Sequence, residues 1–160
     1  MAMEISIQIN GVEETFEVND RLLLLWLLRS EGLTSVKHGC ETGDCGACAV
    51  LVNGRPVVSC IMLAAQAHGK RVVTLEGMND TPGAARLQRA FTGTGAIQCG
   101  YCTPAMILVA KALLDERPRA SEAEVREALD GVLCRCTGYV KPVEAILRAT
   151  EENGGEGAYE

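Results

Sequence analysis

The spacing of four cysteines constrains this chain more than any other feature. Cys40, Cys45 and Cys48 follow one another as C-x4-C-x2-C, and Cys60 comes a hairpin's length later, in the stretch HGCETGDCGACAVLVNGRPVVSC. This is the plant-type spacing of a [2Fe–2S] cluster. Three ligands so close in sequence must wrap a small inorganic group, so the loop has to turn sharply and keep bulky side chains away. Gly39, Gly43 and Gly46 stand between or beside the ligands, and glycine reaches the positive-φ conformations such a wrap demands. A loop of this kind also aims successive backbone N–H groups inward, toward sulfur carrying negative charge.

The other four cysteines form a second group. Cys99 and Cys102 make a CxxC, and Cys134 and Cys136 a CxC. The first pair stands on a turn just ahead of an expected helix, and the second on a turn between two others. Two helix-joining loops that face each other supply four thiolates to a second cluster. Free N–H groups at a helix start favour thiolate and should lower the cysteine pKa. Two clusters, each taking up one electron with little rearrangement, make a two-stop wire. Zinc also uses CxxC pairs, and for the second group taken alone an all-thiolate zinc site or buried free thiols are the competing readings. A Rieske-type centre needs two histidines. The chain has only His38 and His68, and His68 reads as a surface or capping residue.

Composition narrows the function further. At 160 residues and 48% hydrophobic content the chain can build one large or two small domains. Aromatic residues are only 4% of it, too few for a platform on which bases or sugars stack. The net charge is −6 with no basic run, which excludes nucleic acid and anionic membrane as expected partners. Met1 to Asn10 does not have the form of a secretory signal. Leu22 to Leu28 is too short for a transmembrane span. The expected location is cytoplasmic, where thiols stay reduced and eight cysteines point to metal or redox work.

The periodicity predicts an α+β protein. Met3, Ile5, Ile7 and Ile9 alternate with polar residues as a strand does, Asn10-Gly11 is a hairpin turn, and Val12–Val18 returns. Asn19 or Asp20 is expected to cap a buried helix over about 21–29, with Trp26 in the core. After the cysteine loop come a strand to Val52, a second Asn-Gly turn at Asn53-Gly54, a strand over 55–59, a short helix over 61–67 and a strand over 71–75. This is a β-grasp pattern. Helical periods take over after Gly77, with helices over 81–92, 103–115, 122–130 and 141–149, the third opened by the capping box Ser121-x-x-Glu124. The expected domains are 1–77, a β-grasp unit, 78–150, a four-helix unit, and 151–160, a flexible Gly- and Glu-rich tail. Tyr101 and Tyr139 are expected to pack over the second cluster, and Arg135 to meet cluster charge or a partner.

GCETGDCGAC, IQCGYCTP and LCRCTGY, in that order, resemble the three cysteine motifs of the small iron–sulfur subunit of the molybdenum hydroxylases, the xanthine dehydrogenase family. The resemblance spans about Ile5 to Leu147. It implies a plant-ferredoxin-like N-terminal domain with a cluster on Cys40, Cys45, Cys48 and Cys60. It implies a helical domain with a second cluster on Cys99, Cys102, Cys134 and Cys136. It further implies a large subunit carrying molybdopterin (cytosine dinucleotide) beside the helical-domain cluster, with Gln98 touching the pterin. A medium subunit would carry FAD beside the N-terminal cluster, and the whole would be an (αβγ)2 heterohexamer. Electrons would run from molybdenum through the second cluster to the first and on to FAD, with no catalytic residue in this chain. Ala105 departs from the glycine that many relatives have after Thr-Pro, a change of one methyl. The competing functional reading is a free two-cluster ferredoxin.

Overall fold

The structure, a computed structural model, describes residues 2–78 and 82–151. The expected helix start at Thr81, the middle of the domain boundary expected between Met78 and Pro82, and the tail from residue 152 lie outside the described residues.

The alternation at the start of the chain becomes a hairpin. β1 (Ala2–Ile9) pairs antiparallel with β2 (Val12–Asn19), with Ile5 opposite Phe16. Ile5, Ile7 and Ile9 are buried, as one face of a half-buried strand should be. α1 (Leu24–Ser30) follows and buries Leu24, Leu25, Leu27 and Leu28. Two expectations fail here. Trp26 is 39% exposed. It lies on the outward side of a helix packed on one face, its ring tilted 55° against that of His38 at 4.8 Å. Neither Asn19 nor Asp20 caps the helix, whose N-cap position is Leu23 with no side-chain bond. Asn19 Oδ1 instead accepts from Arg21 N–H at 2.9 Å, a turn ahead of the helix.

β3 (Ala49–Val52) and β4 (Arg55–Val58) form the second hairpin. Its turn places Asn53 at φ 50° and Gly54 at φ 83°, the two positive values a type I′ turn requires. The expected short helix over 61–67 is two 3-10 turns, Ser59–Ile61 and Ala64–Ala67. Between them Leu24 N–H donates to Met62 O and Ala64 N–H to Leu22 O, so these groups serve the start of α1 rather than a helical ladder. β5 (Arg71–Val73) lies parallel to β1 and antiparallel to β3, giving a five-stranded mixed sheet of order β2-β1-β5-β3-β4. This is the β-grasp arrangement, although β5 ends earlier than the pattern predicts and continues as a 3-10 turn, Leu75–Met78.

Four helices make the second half: α2 (Pro82–Gly93), α3 (Thr103–Glu116), α4 (Glu122–Leu129) and α5 (Val140–Glu151). α3 is apolar almost all round and is buried from Thr103 to Ala110, as the central helix of a small bundle should be. At α4 the capping box forms: Glu124 N–H donates to Ser121 Oγ at 3.4 Å and Ser121 N–H to Glu124 Oε2 at 2.8 Å. The Ser121 backbone N–H and hydroxyl, with Arg117, hold the Glu124 carboxyl down at about 2. Among the described residues no helix is long and apolar enough to cross a membrane.

β3 joins the two halves because it is buried on both faces. Val50 and Val52 belong to the core under α1, while Ala49 and Leu51 belong to the core of the helical half with Met106 and Ile107. A polar staple assists. Asn10 Oδ1 accepts from Thr74 N–H at 2.9 Å, Thr74 Oγ1 donates to Glu76 Oε2 at 2.6 Å, and Ser35 N–H donates to Glu76 Oε1 at 2.8 Å. Burial opposes the Glu76 charge, but the bonds from Ser35 and Thr74 outweigh it and keep the carboxyl below its ordinary pKa of 4.5. The two halves come together tightly at Gly46, which has φ 66° and where a Cβ would stand 1.8 Å from the Gly131 carbonyl oxygen.

Three changes test these local contacts. Gly46→Ala meets both a left-handed backbone and a backbone atom that cannot step aside. It should cost about 3 kcal/mol or more in denaturant unfolding. Gly54→Ala has a similar φ and open space around it, so it should cost only about 1–2 kcal/mol. Ser121→Ala should cost about 1 kcal/mol at neutral pH. The folded pKa of Glu124 lies below its ordinary 4.5. Its share is therefore complete above that value and is lost as pH falls toward about 2. The penalty, read from unfolding midpoints, should shrink across that window.

Candidate metal centres

The first centre is a loop closed at its base and held open by its own backbone. Lys37 N–H donates to Ala47 O at 3.3 Å across the neck. Inside, Cys40 Sγ accepts from the N–H groups of Thr42 and Cys45, both at 3.4 Å, the inward-facing amides that the wrap demands. These donors, with the Thr42 hydroxyl the strongest, lower the Cys40 thiol to about 5. The hydroxyl carries a single proton, and the Asp44 carboxylate also lies within its reach. The fourth cysteine arrives through hairpin register. Ala49 lies opposite Val58, so Cys48 and Ser59 meet just beyond the ladder. There Ser59 Oγ donates to Cys48 O at 2.7 Å. Cys60 is thereby set beside Cys48, and burial together with the Cys48 thiol pushes it up to about 11.

The second centre lies where two helix-joining turns face each other. Cys102 is the N-cap of α3, and Cys99 lies in the turn before it. The CxC sits between α4 and α5. Cys136 Sγ and Cys99 Sγ are 3.6 Å apart, while Cys134 is the neighbour that raises Cys102. The expectation that the helix start would lower the Cys102 pKa is overturned. Burial, and then the Cys134 thiol, push it to about 12, because desolvation outweighs the helix dipole here. Cys134 moves the other way. Burial disfavours its thiolate, but the Thr137 hydroxyl and the N–H groups of Thr137 and Cys136 prevail and lower it. Tyr139 clamps this turn, its OH accepting from Cys134 N–H at 2.9 Å and donating to Val132 O at 3.1 Å.

The donor set suits a two-metal cluster. In each group the thiols stand as neighbouring pairs: Cys40 with Cys45 and Cys48 with Cys60, then Cys99 with Cys136 and Cys102 with Cys134. A tetrahedral metal that holds two thiolates at about 2.3 Å sets them about 3.7 Å apart, close to the 3.6 Å between Cys99 and Cys136. Two such pairs match one iron each. Among the described residues no group of three or more such donors is placed to hold a single ion. Loading must strip protons from thiols held as high as Cys60 and Cys102.

The two centres touch. Leu133, the residue before Cys134, donates its N–H to Cys45 O at 2.9 Å. Tyr101 OH donates to His38 O. So Tyr101, expected to pack over a cluster, instead ties one turn to the other and is half exposed. Gln98, Cys99, Arg135 and Cys136 are exposed at one edge, with the apolar side chains of Ile97 and Leu133 beside them. His38 Nε2 lies 3.3 Å from Glu41 Oε1, and His68 Nδ1 accepts from Ser6 N–H at 3.0 Å. Neither histidine is among the paired thiols. The sequence reading missed Thr137 and the Tyr139 hydroxyl. Their signal was only the polar Thr-Gly-Tyr that follows the last cysteine.

Comparison with known proteins agrees with this architecture. Residues 7–73 match the model of a 2Fe-2S iron-sulfur cluster binding domain, and residues 74–147 that of a [2Fe-2S] binding domain. The chain is 49% identical to the nicotinate dehydrogenase small FeS subunit of Eubacterium barkeri, covering 92% of this chain and 94% of that one. It is 44% identical to the xanthine dehydrogenase iron-sulfur-binding subunit of Escherichia coli O157:H7, over 87% and 89%. Among solved structures it superposes on a chain of quinoline 2-oxidoreductase from Pseudomonas putida 86 with TM-score 0.89 and 43% identity, over 98% and 99% of the two chains. Two cysteine centres in two matched domains, with near full-length likeness to these subunits, place the chain in the family of small [2Fe–2S] iron–sulfur subunits of the molybdenum hydroxylases.

Proposed function

We propose that Cys40, Cys45, Cys48 and Cys60 hold one [2Fe–2S] cluster, in a domain over 1–77. Cys99, Cys102, Cys134 and Cys136 hold the second, in a domain over 78–150, with 151–160 as a tail. The chain is an electron-transfer subunit of a multi-subunit oxidoreductase, as its relatives are. Each cluster, when bound, supplies a site that accepts and returns one electron.

The observation that carries this reading is the hydrogen bond from Leu133 N–H to Cys45 O. It links a ligand of one centre, through a single hydrogen bond and a few covalent bonds, to the residue before a ligand of the other. An electron arriving at one set of cysteines therefore has a short, packed route to the second. Gly46 lets the two loops approach that closely, and Tyr101 holds them in register by its bond to His38 O.

The exposed edge around Gln98, Cys99 and Cys136 suits a large molybdopterin-binding partner. The Gln98 amide offers a donor and an acceptor to the pterin. The first loop, with Ile61 exposed beside Cys60, suits a medium FAD-binding partner. On this reading electrons pass from molybdopterin to the Cys99 group, then to the Cys40 group, then to FAD. The assembly is an (αβγ)2 heterohexamer in the cytoplasm. The substrate pocket belongs to the large partner.

In the purified complex, Cys99→Ala should lower iron from about four to about two atoms per chain and block reduction of flavin by substrate. Flavin reduction at the normal rate would contradict the wire. Gln98→Ala should leave the iron count unchanged and slow substrate-driven cluster reduction about tenfold, the worth of one hydrogen bond of about 1.4 kcal/mol. Stopped-flow absorbance reads both. An unchanged rate would remove Gln98 from the pterin contact.

A further inference from the structure

The turn that carries Cys134 aims a hydroxyl at that cysteine's sulfur. Thr137 Oγ1 lies 3.1 Å from Cys134 Sγ, a short approach for a sulfur acceptor. The same oxygen accepts the Tyr139 N–H at 3.2 Å, so a lone pair is already engaged on that side. Thr137 N–H adds a second donor to the sulfur at 3.5 Å. Among the described residues no carboxylate shares this hydroxyl.

The loop is built to hold that geometry. Tyr139 sits at φ 67°, a left-handed conformation that bulky residues rarely adopt. Its backbone N–H is thereby placed on Thr137, while its phenol oxygen bridges Cys134 N–H and Val132 O. One residue, through its backbone N–H and its phenol oxygen, thus fixes both the donor, Thr137, and the acceptor, Cys134. The first centre lacks this arrangement. Thr42 stands two residues after Cys40, but Asp44 competes for its hydroxyl proton. A full negative charge is the stronger acceptor.

We propose that Thr137 is a positioning residue for electron transfer, its hydroxyl bond to Cys134 Sγ raising the reduction potential of the helical-domain cluster. This rests on the reading of Cys134 as a cluster ligand. On reduction that cluster gains one electron and no proton, and its charge with four thiolates moves from about −2 to about −3. The added charge spreads onto the sulfurs. A donor aimed at a sulfur therefore stabilises the reduced form more than the oxidised form. Thr137 keeps its proton throughout. The cluster becomes a better acceptor from its donor partner, while the first cluster, whose cysteines Thr137 does not touch, is unaffected.

The test is an EPR-monitored redox titration of the holo-complex, in which the two clusters give separate signals. Thr137→Val, and Thr137→Ala without added bulk, should shift the helical-domain signal to more negative potential. The reduced fraction at fixed potential should change about tenfold, or about 59 mV for one electron. Thr137→Ser should restore it, and the other signal should not move. An unshifted signal in both Val and Ala variants, a shift that Ser fails to rescue, or loss of that cluster's iron would each overturn the proposal. Absence of two signals from the unaltered complex would instead defeat the assignment of the clusters themselves.

Discussion

The hydrogen bond from Leu133 N–H to Cys45 O, at 2.9 Å, decides how the two halves of this protein can sit. It needs the first cysteine loop to lie directly on the turn between α4 and α5. That is possible only because Gly46 has no side chain, since a Cβ there would stand 1.8 Å from Gly131 O. Tyr101 adds a second tie from the turn before α3 to His38 O. Three segments that carry seven of the eight cysteines are thereby locked together. A relay needs such rigidity, because an electron moves well between sites that do not rearrange.

The rest of the fold serves this junction. β3 is a strand with a core on each side, Val50 and Val52 facing one and Ala49 and Leu51 the other. Burying an aliphatic side chain such as Leu51 is worth about 1.5–3 kcal/mol, so the helical half is anchored on the strand that begins one residue after Cys48. The β3–β4 register then brings Cys60 back to Cys48. The Asn10, Thr74, Glu76 and Ser35 network fixes the far end of the sheet against the entry to the first loop. The cysteines thus depend on the hairpin and the two-sided strand more than on one another.

Much of this was legible in the sequence, for physical reasons. Strand alternation, two Asn-Gly turns and the capping box at Ser121 are local signals that local structure obeys. The eight cysteines fell into the two groups that the structure brings together in pairs. What failed depended on tertiary context. Trp26 looked like core in an apolar run, but its helix packs on one face only. The stretch 61–67 looked helical, but its backbone groups serve α1. Cys102 looked primed as a thiolate at a helix start, but burial reversed the effect. The Thr137 hydroxyl and the Leu133–Cys45 bond had no sequence signature beyond adjacency to a cysteine. Both depend on how a loop closes or on what a distant loop presents.

The two centres are neighbours within one rigid chain. Low-temperature EPR of the fully reduced complex tests this most directly. Two unpaired spins held close together should split or broaden each other's signals. The splitting should disappear when the sample is poised so that only one cluster is reduced. Two sharp signals that ignore each other at full reduction would contradict the account.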